Sequence, residues 1–127
     1  MKNLFYFIFV IILVGCNKEP GPGGTSSIRG KVYKKEINSL GQVLSEYYDA
    51  GKDVFIIYGE DDKTYDDKFS TSYDGSFEFT HLNLGKYTIF SYSRCDACLS
   101  GDTVVSVTIE ITEKKKDYVL DDLIVYK

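Results

Sequence analysis

The sequence predicts an all-β fold, a single antiparallel β-sandwich of about seven or eight strands, and three observations predict it. Beyond residue 27 the apolar residues recur at every second position, and no run carries a helical stripe. Tyr, Phe, Val, Ile and Thr dominate these runs, the residue types that suit a pleated, half-buried surface. Glycine signals punctuate the runs at short intervals, at Gly41, Gly51, Gly59, Asp74-Gly75, Gly85 and Gly101.

In chain order, SIRGKVY opens the fold with Ile28, Gly30 and Val32 on one face and Lys31 on the other. QVLSEYY, residues 42–48, is an additional strand that forms a hairpin inserted after the first. DVFIIYG, KFSTSY, SFEF and GKYTIFSYS follow as strands. Asp74-Gly75 is a hairpin turn, because Gly accepts the positive φ that such turns need. Phe77 and Phe79 then share one face of the outgoing strand, Leu82 covers the corner, and Gly85 starts the strand that carries Tyr87. The clearest alternation is TVVSVTIEIT, with Val105, Val107, Ile109 and Ile111 on one face and Ser106, Thr108 and Glu110 on the other. DDLIVYK is the last strand.

Before the strands, the chain has a different character. Lys2 supplies a positive start, and residues 4–14 are apolar without a charge, which is signal-peptide length and short of the roughly 20 residues of a spanning helix. Leu13-Val14-Gly15-Cys16 resembles the lipobox of bacterial lipoproteins. That resemblance implies cleavage after residue 15 and a Cys16 carrying diacylglycerol and an N-acyl chain. Two or three acyl chains at about 0.8 kcal/mol per buried methylene hold a protein at a membrane almost permanently. Residues 1–15 are therefore read as a lipoprotein signal peptide. Residues 16–26 are the lipidated Cys and a flexible tether reaching about 20 Å, and residues 27–127 form one domain, since about 100 residues suffice for one core and not two. Asn17 in place of Asp, by resemblance to enterobacterial sorting rules, carries no inner-membrane retention signal, so the expected location is the outer membrane, on its periplasmic or surface face.

The mature chain loses Lys2, leaving 14 basic against 19 acidic side chains, a net charge of −5. Such a surface lacks the basic patch that nucleic acid or anionic lipid would require. The expected membrane contact is the lipid anchor.

The stretch TSYDGSFEFTHLNLGKYTIFSYS resembles the carboxypeptidase regulatory-like domain, a transthyretin-like β-sandwich related to bacterial B-type surface repeats. Ile28, Gly30 and Val32 match its opening, and Asp74, Gly75, Phe77, Phe79, Leu82, Gly85, Tyr87 and Ile89 match its central motif. The resemblance spans residues 27–127 and implies a non-catalytic module, with these residues as scaffold. B-type repeats often join Lys to Asn or Asp through an isopeptide bond. Here Lys31 points away from the inferred core and the last strand has no Asn, so no such bond is expected. The transthyretin-related hydrolases need several histidines and a closing Tyr-Arg-Gly-Ser, whereas this chain has His81 alone and ends in VYK.

Other chemistry is equally sparse. His81, in THLNLG, has no nucleophile motif beside it and reads as a turn residue. The acidic run GEDDKTYDD lacks calcium-loop spacing and reads as a solvated turn. Cys95 and Cys98 form a Cys-x-x-Cys pair. With Cys16 lipidated, only these two thiols and His81 remain, so a structural zinc site would need carboxylates or a second chain. In an exported chain the expected outcome is a Cys95–Cys98 disulfide closing a loop between two strands. Eleven tyrosines, Tyr47, Tyr48, Tyr58, Tyr65, Tyr73 and Tyr92 among them, offer flat amphipathic faces for sugars or proteins. The sequence thus predicts a non-enzymatic, lipid-anchored envelope module with no cofactor and no metal. Its role is structural or protein-binding, and the alternative is a glycan-binding surface lipoprotein.

Overall fold

The computed structural model describes residues 19–60 and 64–127. The signal segment 1–15 and Cys16 lie outside the described residues. Nine strands follow one another: β1 (Pro22–Ile37), β2 (Val43–Tyr48), β3 (Asp53–Tyr58), β4 (Asp67–Ser70), β5 (Ser76–Leu82), β6 (Gly85–Arg94), β7 (Asp102–Ile111), β8 (Asp117–Val119) and β9 (Leu123–Tyr126). They form two sheets, one of five strands around β1 and one of four in the order β4-β3-β6-β7. All-β architecture with two layers is what the period-two pattern required.

β1 organises the first sheet because its sixteen residues are long enough to serve four short partners. Val32 shows how. Its N–H donates to the Gly75 carbonyl at 2.9 Å, and its own carbonyl accepts from the Asp49 N–H at 2.9 Å. Both groups of one strand residue point the same way, so β5 and β2 line the same edge of β1 in succession. The opposite edge takes β8 and β9, both parallel to β1. The second sheet is antiparallel throughout, with Phe55 opposite Phe90 and Ile89 opposite Val107.

The two inner faces meet in one core. Ile28, Val32, Phe77, Phe79, Leu82, Leu123 and Val125 come from the first sheet, and Val54, Ile56, Tyr87, Ile89 and Ile111 from the second. Each such side chain removed from water contributes roughly 1.5–3 kcal/mol. Gly30 is the inward position of β1 where a side chain has no room, since a Cβ there would stand 2.6 Å from the Phe77 ring. Val105, Val107 and Ile109 lie on the inner face of β7 as their alternation predicts, but they remain half-exposed because β7 is an edge strand.

Several expectations are corrected. The flexible tether was expected to run to residue 26, yet β1 begins at Pro22 and the segment before it is tied down. The Gly21 N–H donates to the Tyr87 hydroxyl at 2.8 Å, and the Gly21 carbonyl accepts from the Asn83 N–H at 2.8 Å. Ser26 is buried and its hydroxyl donates to the Glu113 carbonyl at 2.6 Å. The composition of residues 20–26 builds no core, but their backbone groups find partners.

Asp74-Gly75 is a tight turn, with Gly75 at φ 79°, but the strands it joins do not pair. β4 belongs to the second sheet and β5 to the first, so the turn is a corner between layers rather than a hairpin. It is closed locally instead: Ser72 N–H donates to the Ser76 carbonyl and Gly75 N–H to the Ser72 carbonyl, both at 2.9 Å.

Finally, the sandwich is not antiparallel throughout, and it has a ninth strand. β8 is three residues long and pairs with Ser27, Ile28 and Arg29. After β7 the chain crosses to the other sheet and returns along β1 in the same direction, which makes these pairings parallel.

Candidate functional site: an aromatic sheet face

β3 and β6 are the two central strands of the second sheet. Their inward residues are Val54, Ile56, Tyr87 and Ile89, so the pleat turns Phe55, Ile57, Phe90 and Tyr92 outward. Register places Phe55 directly opposite Phe90, with the rings stacked at 5.1 Å and 21°. Tyr92 stands edge-on to both, 5.6 Å from Phe55 and 5.9 Å from Phe90. Tyr65, from the segment ahead of β4, leans on Phe55 at 4.7 Å.

The cluster is layered. Phe90 is 9% exposed and forms the floor, while Tyr65 and Tyr92 are 49% and 47% exposed and present ring and hydroxyl to water. Polar groups surround it. Lys68 lies opposite Phe55 on β4 and Ser106 opposite Phe90 on β7. The Ser70 hydroxyl donates to Asp53 Oδ1 at 2.7 Å, and the hydroxyls of Thr88 and Thr108 lie 3.4 Å apart. Aromatic pairs of this geometry contribute about 0.5–1.5 kcal/mol beyond area burial, which accounts for the floor. Above it, Tyr65 and Tyr92 remain half-exposed. Chemically, the face offers flat apolar rings at its centre and hydrogen-bonding groups at its margin.

Of the tyrosines singled out by sequence, only Tyr65 and Tyr92 meet here. Tyr47 and Tyr48 belong to β2 in the other sheet. The Tyr47 hydroxyl donates to Glu36 at 2.9 Å, and that bond, with one from Ser45, holds the Glu36 carboxyl below its ordinary pKa. Tyr58 packs edge-on against Tyr87 at 5.9 Å, and burial pushes its phenol pKa up. Tyr73 projects alone from the Ser72–Ser76 turn. Phe55 and Phe90 were not anticipated as members of this cluster. Their signal was the pleat itself, since both are out of phase with the inward Val54, Ile56, Tyr87 and Ile89.

The other predicted residues are scattered. Cys95 and Cys98 form a disulfide in the loop between β6 and β7. That loop is closed by the Cys95 N–H donating to the Gly101 carbonyl at 2.8 Å. Asp74 accepts from the Ser76 N–H and hydroxyl at 3.1 and 2.6 Å, bonds that hold its carboxyl below the usual aspartate range. Gly75, Phe77, Phe79 and Leu82 are buried; Gly85 opens β6, and Tyr87 lies at its inner face. The Tyr87 hydroxyl donates to the Asn83 carbonyl at 2.7 Å while accepting from Gly21, and burial raises its pKa.

His81 is exposed, with Nδ1 3.0 Å from the Thr80 hydroxyl. Its φ of 56° absorbs an extra residue of β5, because Ser26 pairs with Leu82 while Ile28 pairs with Phe79. In the acidic run, Glu60 pairs with Lys86 at 2.6 Å and Asp66 accepts from the Tyr58 N–H at 2.7 Å. Among the described residues no group of three or more His, Cys, Asp or Glu is placed to hold a metal ion.

No protein-family model matches the chain, and no curated protein does. Among solved structures, the chain is similar to that of a candidate carbohydrate-binding protein from Pseudomonas aeruginosa. The two are 15% identical, with a TM-score of 0.49 over 85% of this chain and 92% of that one.

Proposed function

We propose that this chain is a non-catalytic binding module of the bacterial cell envelope, anchored through lipid at Cys16 in the outer membrane, whose working surface takes up a carbohydrate. The observation that carries this reading is the pair of half-exposed tyrosines, Tyr65 and Tyr92, on a floor of stacked phenyl rings with hydroxyl, amine and carboxylate groups around it. A pyranose has an apolar C–H face and a hydroxyl edge. The rings suit the first and the margin suits the second.

The resemblance of residues 74–89 to carboxypeptidase regulatory-like domains agrees with a module that presents a surface and performs no chemistry. The lipobox and the run of residues 16–19 before the fold suit a domain displayed next to a membrane. A protein partner is the second reading, favoured by Val104, which is 51% exposed directly opposite Tyr92 and adds aliphatic surface to the same face.

A glycan array with the mature protein separates the two. The expected result is retention of at least one oligosaccharide class that is lost in Tyr92→Ala and Tyr65→Ala, both folded. Absence of glycan retention, together with a protein captured in an envelope pull-down by wild type and lost in Tyr92→Ala, establishes the second reading instead. For the anchor, Cys16→Ser is expected to leave the protein soluble or with its signal segment uncleaved, and mass spectrometry of the mature wild-type N-terminus is expected to find an acylated Cys16. An unmodified Cys16 there ends the lipid reading.

A further inference from the structure

A groove of about 590 Å³ lies against β1 and β5 of the other sheet, bordered also by Phe69 of β4, Ser72 of the following turn and Val119 and Leu120 ahead of β9, and it shares no residue with the aromatic face described above. Arg29 and Lys31 lie on its β1 floor, Ser76 and Glu78 come from β5, Tyr48 from the end of β2 and Asp122 from the approach to β9. Pairing explains why these six meet. Arg29 is opposite Glu78 and Lys31 opposite Ser76, while Tyr48 is opposite Tyr33.

Tyr48 is the built element of the groove. β2 and β9 lie on opposite edges of β1, yet the Tyr48 hydroxyl donates to Asp122 Oδ2 at 2.9 Å, so its side chain crosses β1. The Lys31 ammonium sits 4.8 Å from the Tyr48 ring centroid, and the Tyr33 ring meets it edge-on at 5.1 Å. Three contacts thus hold one aromatic ring in place while it remains 42% exposed. Arg29 is held loosely, 3.5 Å from Glu78 and 3.9 Å from Asp117, all three side chains about half exposed. Exposed pairs of this kind contribute little to stability, so they leave donors and acceptors free to exchange partners.

Volume and chemistry together select the ligand. The groove is of the size that small-molecule sites occupy. Two cations and two carboxylates line it, so it has no net charge with which to attract a strongly charged ligand. Donors and acceptors both lie beside a fixed ring: the Arg29 guanidinium and Lys31 ammonium, and the Glu78 and Asp122 carboxylates. That mixture suits a neutral molecule that both donates and accepts hydrogen bonds along its edge and has one flat apolar side.

We infer that the Tyr48–Asp122 groove is a second binding site, for a neutral saccharide unit, separate from the Tyr65–Tyr92 surface. It extends the carbohydrate reading but does not depend on that surface. With both sites occupied, one domain joins two glycan segments, and avidity rises without new contacts at either site.

The test is an amide-resolved NMR titration of the mature lipoprotein in detergent micelles. The probes are three neutral hexasaccharides (cellohexaose, laminarihexaose and mannohexaose) and the acidic hexagalacturonate. At least one neutral probe is expected to shift the amides of Lys31, Ser76 and Asp122 in a saturable way. Tyr48→Ala and Asp122→Asn are each expected to weaken that response about tenfold or more, the loss of one charge-assisted hydrogen bond or stacking ring. Tyr92→Ala is expected to leave it unchanged. Asp122→Asn keeps the shape of the groove and carries the test if Tyr48→Ala disturbs the fold. The inference is overturned if none of the neutral probes moves these amides, if only hexagalacturonate does, or if Tyr92→Ala abolishes the response while the spectrum stays folded. Movement at the groove with none at Phe55 and Phe90 leaves this site standing and removes the aromatic-face reading instead.

Discussion

Gly75 and Gly101 have the same backbone and opposite surroundings. Both sit at φ 79° in a short turn preceding a strand. At Gly75 a Cβ would meet the Tyr48 Cβ at 2.8 Å, the Val32 carbonyl oxygen at 2.9 Å and the Asp49 nitrogen at 3.0 Å. At Gly101 it would meet nothing within 4 Å. The first turn is wedged under the junction where β2 succeeds β5 along β1, and the second projects into water at the tip of a hairpin. A positive-φ glycine therefore reports only a local requirement. What its replacement costs depends on which elements the fold has stacked against it.

The largest effect expected from this contrast is in Gly75→Val. A non-glycine residue in the left-handed region costs about 1–2 kcal/mol, and overpacking against backbone adds about 1–3 kcal/mol. Gly101→Ala meets only the first of these. Thermal melts of the two variants measure the difference directly, and equal losses would show that the Gly75 turn is not packed under β2.

Tyr87→Phe tests whether the N-terminal segment belongs to the fold, as Gly75 does, or is loose, as the tip of the hairpin is. The change leaves the Gly21 N–H and the Asn83 carbonyl without their partner, at about 1–3 kcal/mol for buried groups. Fast amide exchange at Gly21 in the variant and slow exchange in wild type is the expected readout. Unchanged protection would mean that other bonds anchor this segment.

A smaller effect is expected at the exposed loop. Replacing Cys95 and Cys98 together by Ser opens a four-residue ring, which in the chain-entropy model lowers stability by about 2 kcal/mol at most. The loop should lose order while the core spectrum stays put. A collapse of the whole domain would contradict the division between packed and projecting turns.

The smallest effect is electrostatic, and its sign follows from Asp74. Hydrogen bonds from Ser76 hold this carboxyl below its ordinary pKa in the folded protein. Its contribution is therefore present above the unfolded aspartate pKa near about 4 and is lost as pH falls through the lowered folded value. Melts of wild type and Asp74→Ala should differ at neutral pH and converge on acidification. A gap that widens at low pH would reverse the assignment.

Much of the fold was legible because the pleat writes itself into the chain. The alternation of Val105, Val107, Ile109 and Ile111, the paired Phe77 and Phe79, and the turn glycines each depend on residues within a few positions of one another. β8 was not legible. Its three residues follow a charged run, and they become a strand because Ser27–Arg29 leave an edge of β1 unpaired. The start of β1 was hidden for a similar reason, since residues 20–26 have no apolar pattern and are held by hydrogen bonds from the Gly21 backbone to Tyr87 and Asn83 and from the Ser26 hydroxyl to Glu113.

The candidate surface divides along the same line. Sequence by itself determined that tyrosines were abundant, that strands turned alternate residues outward, and that Cys95 lay close enough to Cys98 to bridge, because each is a matter of composition or short-range spacing. Only tertiary structure decided that Phe55 faces Phe90 across thirty-five positions of chain, that Tyr65 and not Tyr73 leans on Phe55, and that Tyr48 reaches Asp122 over β1. Those neighbours are chosen by register and sheet order. Both follow from burying two apolar faces against each other, a condition that the whole domain satisfies at once and that no local window of sequence contains.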